Sequence, residues 1–175
     1  RPRDVVYDPF SGRGTTGLEA GLLGRSVILN DANPLGTILA RSRFFIPDLS
    51  ELEKRLHSID LAQNQRADRD LSMFFHPQTE SEIVSLRAYL EERRNAGKED
   101  DLDRWIRMVA TNRLTGHSKG FFSVYSLPPN QAASPQSQVK INARLKQSPE
   151  PRDVVQIVLK KSKNLISDVS KDETV

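Results

Sequence analysis

The sequence predicts an α/β protein in which a small, partial parallel sheet precedes a largely helical insertion or subdomain. Two short apolar runs, around residues 4–7 and 26–30, are separated by a glycine-rich turn and a helix-like segment that stops at Gly24. The order strand, loop, helix, strand joins parallel strands. From Pro47 onward the apolar residues recur at helical spacing instead. We therefore place the sheet in residues 1–46.

The helical region divides at residues that favour helix starts. The predicted starts are, in chain order, Ser50 with Glu53, Thr79 with Glu82, Asp100 or Asp101, and Ser134 with Pro135. Residues 111–133 are rich in turn formers and predict an ordered loop. A last helix follows the break at Pro149 and Pro151. We expect the helical region to cover residues 47–167 and residues 168–175 to be frayed.

Composition excludes several classes of site. The 175 residues include no cysteine, which excludes disulfides and thiolate metal sites. The three histidines, His57, His76 and His117, lie far apart in the sequence and not at metal-ligand spacing. The sequence has no apolar run of membrane-spanning length and no recognisable signal peptide. We expect a cytoplasmic protein with no metal and no membrane partner.

Charge is divided unevenly along the chain. Residues 47–101 carry 8 Lys/Arg and 13 Asp/Glu, a net charge of −5, whereas residues 102–163 carry 11 and 3, a net charge of +8. A basic half of this size suits a polyanion, because Lys and Arg contacts to phosphates supply most sequence-independent affinity for nucleic acids. Lys160, Lys161 and Lys163 can equally form a solvated helix face. The candidate nucleic-acid-binding residues are Arg113, His117, Ser118, Lys119, Lys140 and Arg144.

The first loop carries the strongest signal for a ligand. Gly12, Gly14 and Gly17 match G-x-G-x-x-G, and Asp31 lies nineteen residues after Gly12 at the end of the second strand. Both features fit a dinucleotide site, although such glycines can also serve packing alone. Asp8, at the end of the first strand, would repel a pyrophosphate but attract the ammonium group of S-adenosylmethionine. The residues therefore favour S-adenosylmethionine.

The same stretch resembles the amino-group DNA methyltransferases, which methylate N6 of adenine or N4 of cytosine. The resemblance lies in the segment Asp-Pro-Phe-Ser-Gly-Arg-Gly-Thr-Thr at residues 8–16 and in Asp-Ala-Asn-Pro at 31–34. It implies a Rossmann-like sheet. It also implies that Asp31 holds the ribose, that Ala32, Asn33 and Pro34 flank the adenine, and that the methionine side is lined by Asp8, Phe10, Gly12, Gly14, Thr15 and Thr16.

The resemblance implies methyl transfer from S-adenosylmethionine to an exocyclic amino group of DNA, as in restriction-modification systems. Residues 47–167 would then contain the target-recognition region. RNA guanine methyltransferases share a similar loop, so an enzyme that methylates guanine N2 in RNA is an alternative. A second alternative is a non-catalytic nucleic-acid-binding module on the same fold.

The catalytic motif of the family, Asp/Asn/Ser-Pro-Pro followed by an aromatic residue, has no match in this sequence. The nearest string is Ser-Leu-Pro-Pro-Asn at residues 126–130, which has leucine before the prolines and asparagine after them. We therefore assign no catalytic residue and expect an inactive fragment. Two parallel strands are normally buried within a larger sheet. We expect the helices, another copy of the chain in a homo-oligomer, or further C-terminal strands to cover them.

Overall fold

The computed structural model describes residues 1, 3–127, 131 and 133–172. Within these residues the chain is α/β, as predicted, with one two-stranded parallel sheet, seven α-helices and a short 3-10 helix at Ser42–Phe44. The strands are β1 (Val5–Asp8) and β2 (Ser26–Leu29). The helices are α1 (Thr15–Leu22), α2 (Pro34–Arg41), α3 (Leu49–His57), α4 (Pro77–Asn95), α5 (Asp101–Arg113), α6 (Pro135–Leu145) and α7 (Val154–Asp172).

The chain forms two compact units. The first unit contains Arg1–Pro47 and Asp100–Met108, and the second contains the remaining described residues. This division differs from the predicted ranges at Pro47 and at residues 100–108, which the sequence predicts to lie in the helical region. Within the first unit, the buried hydroxyl of Ser42 donates a hydrogen bond to the carbonyl oxygen of Arg104 (2.9 Å). This contact links the start of α5 to the end of α2.

The sheet of the first unit has the predicted parallel register. Val6 lies opposite Val27, and Asp8 lies opposite Leu29. Helix α1 packs against both strands, and its buried Gly17 faces the side chain of Leu29. A parallel connection through α1 therefore brings the carboxyl ends of both strands to one edge.

The other face of this sheet is apolar and exposed. Val5 and Tyr7 of β1 are 61% and 59% exposed, and Ile28 of β2 is 53% exposed. Residues on a parallel pair are normally covered on both faces. The exposure agrees with the sequence argument that two strands make only part of a sheet, and what covers them stays a prediction.

The second unit is helical, and helices α3 and α4 both pack against α7. Because α3 and α7 are amphipathic, their apolar stripes face inward. The buried apolar residues of this unit include Leu52, Leu56, Phe74, Phe75, Leu86, Leu90, Val109, Phe121, Phe122, Val124, Ile141, Val154 and Val158. The side chain of Thr79 also joins α4 to the segment before α7. Its hydroxyl donates to the carbonyl oxygen of Arg152 (3.1 Å) and accepts from the N–H of Arg152 (2.7 Å).

Two predicted helix starts are wrong. Helix α3 is capped by Asp48, whose carboxylate accepts the N–H of Glu51 (2.9 Å), and not by Ser50. Helix α4 is capped by His76 and begins at Pro77, so that Thr79 lies inside the helix. Proline favours the first helical position because its φ is preset and it has no N–H to satisfy. In both helices the residue immediately before the first helical position is the cap, and the Ser or Thr predicted for that role lies inside the helix.

The starts of α5 and α6 are confirmed. Asp100 Oδ1 accepts the N–H of Asp103 (2.9 Å), and Ser134 Oγ accepts the N–H of Ser137 (3.1 Å). Helix α5 extends through residue 113, so the loop that follows it is shorter than the predicted 111–133. Helix α7 continues to residue 172, beyond the predicted start of the frayed end at 168.

Candidate functional site

Two acidic residues lie at neighbouring strand ends in the first unit. The N–H of Asn30 donates to the carbonyl oxygen of Asp8 (2.9 Å), and the N–H of Ser11 donates to the carbonyl oxygen of Asn30 (2.9 Å). The parallel ladder thus continues one step beyond the strands into the glycine loop. Asp31 follows directly. The structure therefore brings the ends of both strands together, as the sequence predicts.

The Asp31 carboxylate joins the loops that follow the two strands. Its Oδ2 accepts the N–H of Gly12 (2.6 Å), and its Oδ1 accepts the N–H of Asn33 (2.8 Å). These two hydrogen bonds, that of Asn33 first and that of Gly12 second, lower the pKa of Asp31 below its ordinary value. Asp31 therefore fixes the loop geometry, a role that sequence reasoning missed. The spacing between the G-x-G-x-x-G motif and Asp31 could have indicated this role.

At the end of the first strand, Asp8 is partly buried and Phe10 is exposed. Asp8 Oδ1 accepts the N–H of Phe10 (3.0 Å), which forms a tight turn at the start of the loop. The Phe10 side chain is 88% exposed. An apolar ring with this exposure is open to a ligand, although scattered exposed apolar residues also occur without one.

The glycines of the loop have local explanations. Gly12 has a φ of 50° and Gly14 a φ of 80°, values that favour glycine. A Cβ on Gly14 would lie 2.6 Å from Cβ of Ala40, and a Cβ on Gly17 would lie 2.7 Å from Cδ2 of Leu29. Gly14 and Gly17 are thus needed for packing whether or not a ligand binds. Only Gly12 has open space around it.

Helix α1 begins with backbone N–H donors that have no hydrogen-bond partner among the described residues. Its N-cap is Gly14, which supplies no side-chain hydrogen bond. Thr15 and Thr16 form the exposed first turn. The first N–H groups of a helix have no partner within the helix and favour anions. This turn can therefore accept a carboxylate, with the two hydroxyl groups as further donors.

The residues after Asp31 form the start of α2. Asn33 is its N-cap and accepts the N–H of Leu35 (3.0 Å) through Oδ1, and Pro34 occupies the first helical position. Ala32, Asn33 and Pro34 are all exposed. Helix initiation accounts for asparagine and proline here, and a contact of this segment with adenine stays a prediction.

A cavity of about 420 Å³ lies elsewhere in the first unit, between α1, β2 and α2. None of the ten predicted cofactor residues lines it, since its walls comprise Ser11, Gly21, Arg25, Val27, Leu29, Thr37, Ala40, Arg41 and Phe44. The strand ends themselves are an exposed edge. Sequence reasoning did not anticipate this cavity, because its walls come from residues without a shared motif.

One concave region of the second unit, about 950 Å³, is lined by described residues from the end of α3, from residues 59–66, from the start of α4 and from residues 153–156. It includes His57 and His76, neither of which was predicted as a site residue. His76 already accepts the N–H of Gln78 (3.2 Å) as the cap of α4. The capping of α4 therefore accounts for one of the two histidines in this region.

A second concave region of this unit, about 450 Å³, is lined by several Lys and Arg residues, and we call it the basic cleft. It contains two of the six predicted nucleic-acid residues, Arg113 and Lys119. The other cations that line it, Arg152, Lys160 and Lys161, were not selected from the sequence. The net charge of +8 was the available signal, but the sequence alone did not indicate which cations converge.

The remaining predicted nucleic-acid residues do not line this cleft. His117 and Ser118 are exposed on the loop before it, and the His117 ring lies 6.1 Å from the Phe121 ring. Lys140 and Arg144 are exposed on α6. The structure thus separates the six predicted residues into a cleft pair, a loop pair and a helix pair.

The string nearest to a catalytic motif is only partly described, because Pro128, Pro129 and Asn130 lie outside the described residues. Ser126 is buried, and its N–H donates to the carbonyl oxygen of Gly116 (2.8 Å). Its place is explained by packing within the loop.

Among the described residues there is no group of His, Asp and Glu side chains that could hold a metal ion. No described helix is long and apolar enough to cross a membrane. Comparison with protein families, with curated proteins and with solved structures gives no match to this chain.

We predict that Asp31 makes stability depend on acid pH. Because its folded-state pKa lies below the ordinary value of 3.8, its contribution is fully present above pH 3.8 and is lost as pH falls through the folded-state pKa. Asp31→Asn should lower the denaturation midpoint of the protein at neutral pH, since an amide oxygen cannot replace both carboxylate oxygens.

The difference between the midpoints of the wild type and Asp31→Asn should shrink as the pH falls through this range. Asp70, whose pKa is lowered by hydrogen bonds to Ser72, titrates in both proteins and cancels in the comparison. A difference that stays constant with pH would contradict the role given to Asp31.

Proposed function

We propose that the chain contains the cofactor-binding and DNA-contacting parts of an amino-methyltransferase. Its reaction would transfer the methyl group of S-adenosylmethionine to an exocyclic amino group of adenine or cytosine in DNA. The observation that supports this most is the placement of Asp8 and Asp31 at neighbouring ends of parallel strands, beside a glycine loop. Ligands bind at this edge in open α/β sheets.

The chemical groups at this edge fit the cofactor. The Asp8 carboxylate suits the ammonium of the methionine portion, and the free N–H groups at the start of α1 suit its carboxylate. Thr15 and Thr16 add hydroxyl donors. The bound cofactor supplies an electrophilic methyl group, and the chain's own residues hold and orient it.

Asp31 can hold a ribose without releasing the loops. Each carboxylate oxygen has two lone pairs and accepts one backbone N–H in the structure, from Gly12 or from Asn33. The remaining acceptor capacity can take ribose hydroxyl groups. An acid in this position performs the same function in dinucleotide sites. The loop would therefore be formed before the ligand arrives, which reduces the cost of ordering on binding.

Asp8 also distinguishes this cofactor from a dinucleotide. A pyrophosphate at the start of α1 would lie near a carboxylate, and like charges in close contact are unfavourable. The methionine end of S-adenosylmethionine also carries a carboxylate, but its ammonium attracts the Asp8 carboxylate and offsets that repulsion, whereas a pyrophosphate has no cation to do so.

A second candidate is a nucleic-acid-binding module that keeps this fold without chemistry. It is favoured by the sequence around the only Pro-Pro pair, which has Leu127 before it and Asn130 after it. A site for a target amine needs a polar acceptor before the prolines and an aromatic ring after them.

Cofactor binding is tested by calorimetry with S-adenosylhomocysteine and with NAD. We expect S-adenosylhomocysteine to bind more tightly. Phe10→Ala should weaken this binding by about tenfold, or about 1.4 kcal/mol, because a ligand would cover the exposed ring. The matched control is Leu22→Ala at the other end of α1, where the side chain is 75% exposed.

The control variant should bind as the wild type does. Tighter binding of NAD, or an equal loss in Phe10→Ala and Leu22→Ala, would contradict the proposal.

The chain of 175 residues should transfer no methyl group to DNA, because its sequence has no polar-Pro-Pro-aromatic site to accept the target amine. Incubation with tritiated S-adenosylmethionine and unmethylated DNA measures this directly. Methyl incorporation above the level of a no-enzyme control would show that residues 126–130, or others, supply the missing acceptor.

A further inference from the structure

The basic cleft gathers cations from separate parts of the chain. Arg113 ends α5, Lys119 lies on the loop after it, Arg152 precedes α7, and Lys160 and Lys161 lie on α7. All five line the same cleft of about 450 Å³. A charge run on one solvated helix face would not bring together residues that are up to 48 positions apart in sequence (161 − 113).

Negative charge in the cleft is small. Asp153 is the only acidic residue among its lining residues, so the five cations leave a net charge of +4. Asp153 is itself occupied, since its Oδ1 accepts the N–H of Gln156 (2.8 Å) at the start of α7. Lys119, Lys160 and Lys161 make no ion pair with any described residue. The cleft therefore keeps a large excess of positive charge.

Two of the five cations, Arg113 and Arg152, are partly buried. The Arg113 guanidinium lies 4.1 Å from the centre of the Phe121 ring, and its Nε donates to the carbonyl oxygen of Asn112 (3.0 Å). Burial lowers the pKa of Arg113, which remains a cation at neutral pH. Arg152 is 18% exposed, and its buried Nε has no hydrogen-bond partner among the described residues.

The one ion pair of Arg152 in the described part of the chain is long. Its Nη2 lies 3.7 Å from a carboxylate oxygen of Glu150, whose side chain is 69% exposed. Exposed pairs of this kind contribute little to stability. The charge of Arg152 is therefore little neutralised within the described part of the chain, and it adds to the positive charge of the cleft.

We infer that the basic cleft binds the phosphate backbone of a nucleic-acid strand, with Lys119, Lys160 and Lys161 as its main contacts. The choice of a nucleic acid as the bound polyanion rests on the proposed function. The binding site differs from the one predicted from the sequence, because most of its contacts lie on α7 and on the segment before α7. Uncharged donors in the same cleft, Asn164 and Gln156, suit phosphate and sugar oxygens.

The shape favours a strand over a membrane or a single phosphate ion. Cations on the walls of a concave cleft are less accessible to a flat anionic bilayer than cations on a protruding surface. The volume lies in the range that holds ligands of many atoms. Several phosphates along one backbone can therefore contact the separated cations together.

The chain supplies a matched control. Lys54 on α3 and Arg94 on α4 are exposed and carry the same two charges, but they lie outside the cleft and are not predicted site residues. Glutamine at any of these positions keeps a good helix former. The double variants Lys160→Gln/Lys161→Gln and Lys54→Gln/Arg94→Gln thus change net charge equally.

The experiment measures fluorescence anisotropy of labelled single-stranded and duplex oligonucleotides over a series of salt concentrations. We expect the α7 double variant to weaken binding by roughly tenfold or more. The slope of log K against log salt should fall by about 2 for a duplex, one for each lost phosphate contact. The control double variant, Lys54→Gln/Arg94→Gln, should change affinity by less than about twofold. Circular dichroism checks that both variants stay folded.

Equal losses in the two double variants, or no loss in the α7 variant, would overturn the inference. A third measurement tests the binding of tripolyphosphate to the protein. If it binds as tightly as oligonucleotides of any length, the cleft takes small phosphates and the strand assignment is wrong.

Calorimetry with S-adenosylhomocysteine separates this inference from the proposed function. If S-adenosylhomocysteine fails to bind but the α7 variant still loses DNA affinity, the proposed function fails and the cleft stands. If it binds and the α7 variant loses nothing, the cleft assignment alone fails.

Discussion

Two backbone N–H groups that follow different strands, those of Gly12 and Asn33, share the carboxylate of Asp31. The rest of the first unit's edge depends on this arrangement. It orients the glycine loop against the start of α2, and Gly36 allows the close approach, since a Cβ there would lie 2.9 Å from both Asp31 Cβ and the Gly12 carbonyl oxygen. With the loop fixed, Gly14 can begin α1 at its buried contact with Ala40, and the first turn of α1 presents its free donors at the same edge as Asp8.

This constraint gives the proposed cofactor site a physical basis. A carboxylate held by two N–H groups is ionised and oriented before a ligand arrives, so little ordering is left for binding to pay. The same groups account for stability without a ligand, and therefore the loop sequence alone does not prove a cofactor. The distinction rests on features without a structural use within the unit: the exposed Phe10 ring, and the exposed Thr15 and Thr16 at the start of α1.

Sequence patterns correctly predicted the parallel strands, which depend on residues that are close together in the sequence. Two short apolar runs with a glycine turn and a helix between them were enough to predict the parallel pair, because a helix between two short strands leaves few other connections. Helix starts were predicted less well. Ser50 and Thr79 satisfy the capping pattern, yet Asp48 and His76 precede the first helical residue and cap instead. The basic cleft could not be predicted, since the packing that brings Arg113 to α7 is long-range.

The central claim is that the strand ends around Asp31, and not the cavity between α1, β2 and α2, receive the cofactor. Backbone amide NMR during titration with S-adenosylhomocysteine tests it most directly. We predict that the amide signals of Gly12, Thr15, Thr16 and Asn33 shift together and saturate at one ligand concentration, while those of Arg25 and Arg41 on the cavity wall stay in place. Shifts confined to Arg25 and Arg41, or no shifts at all, would contradict the account.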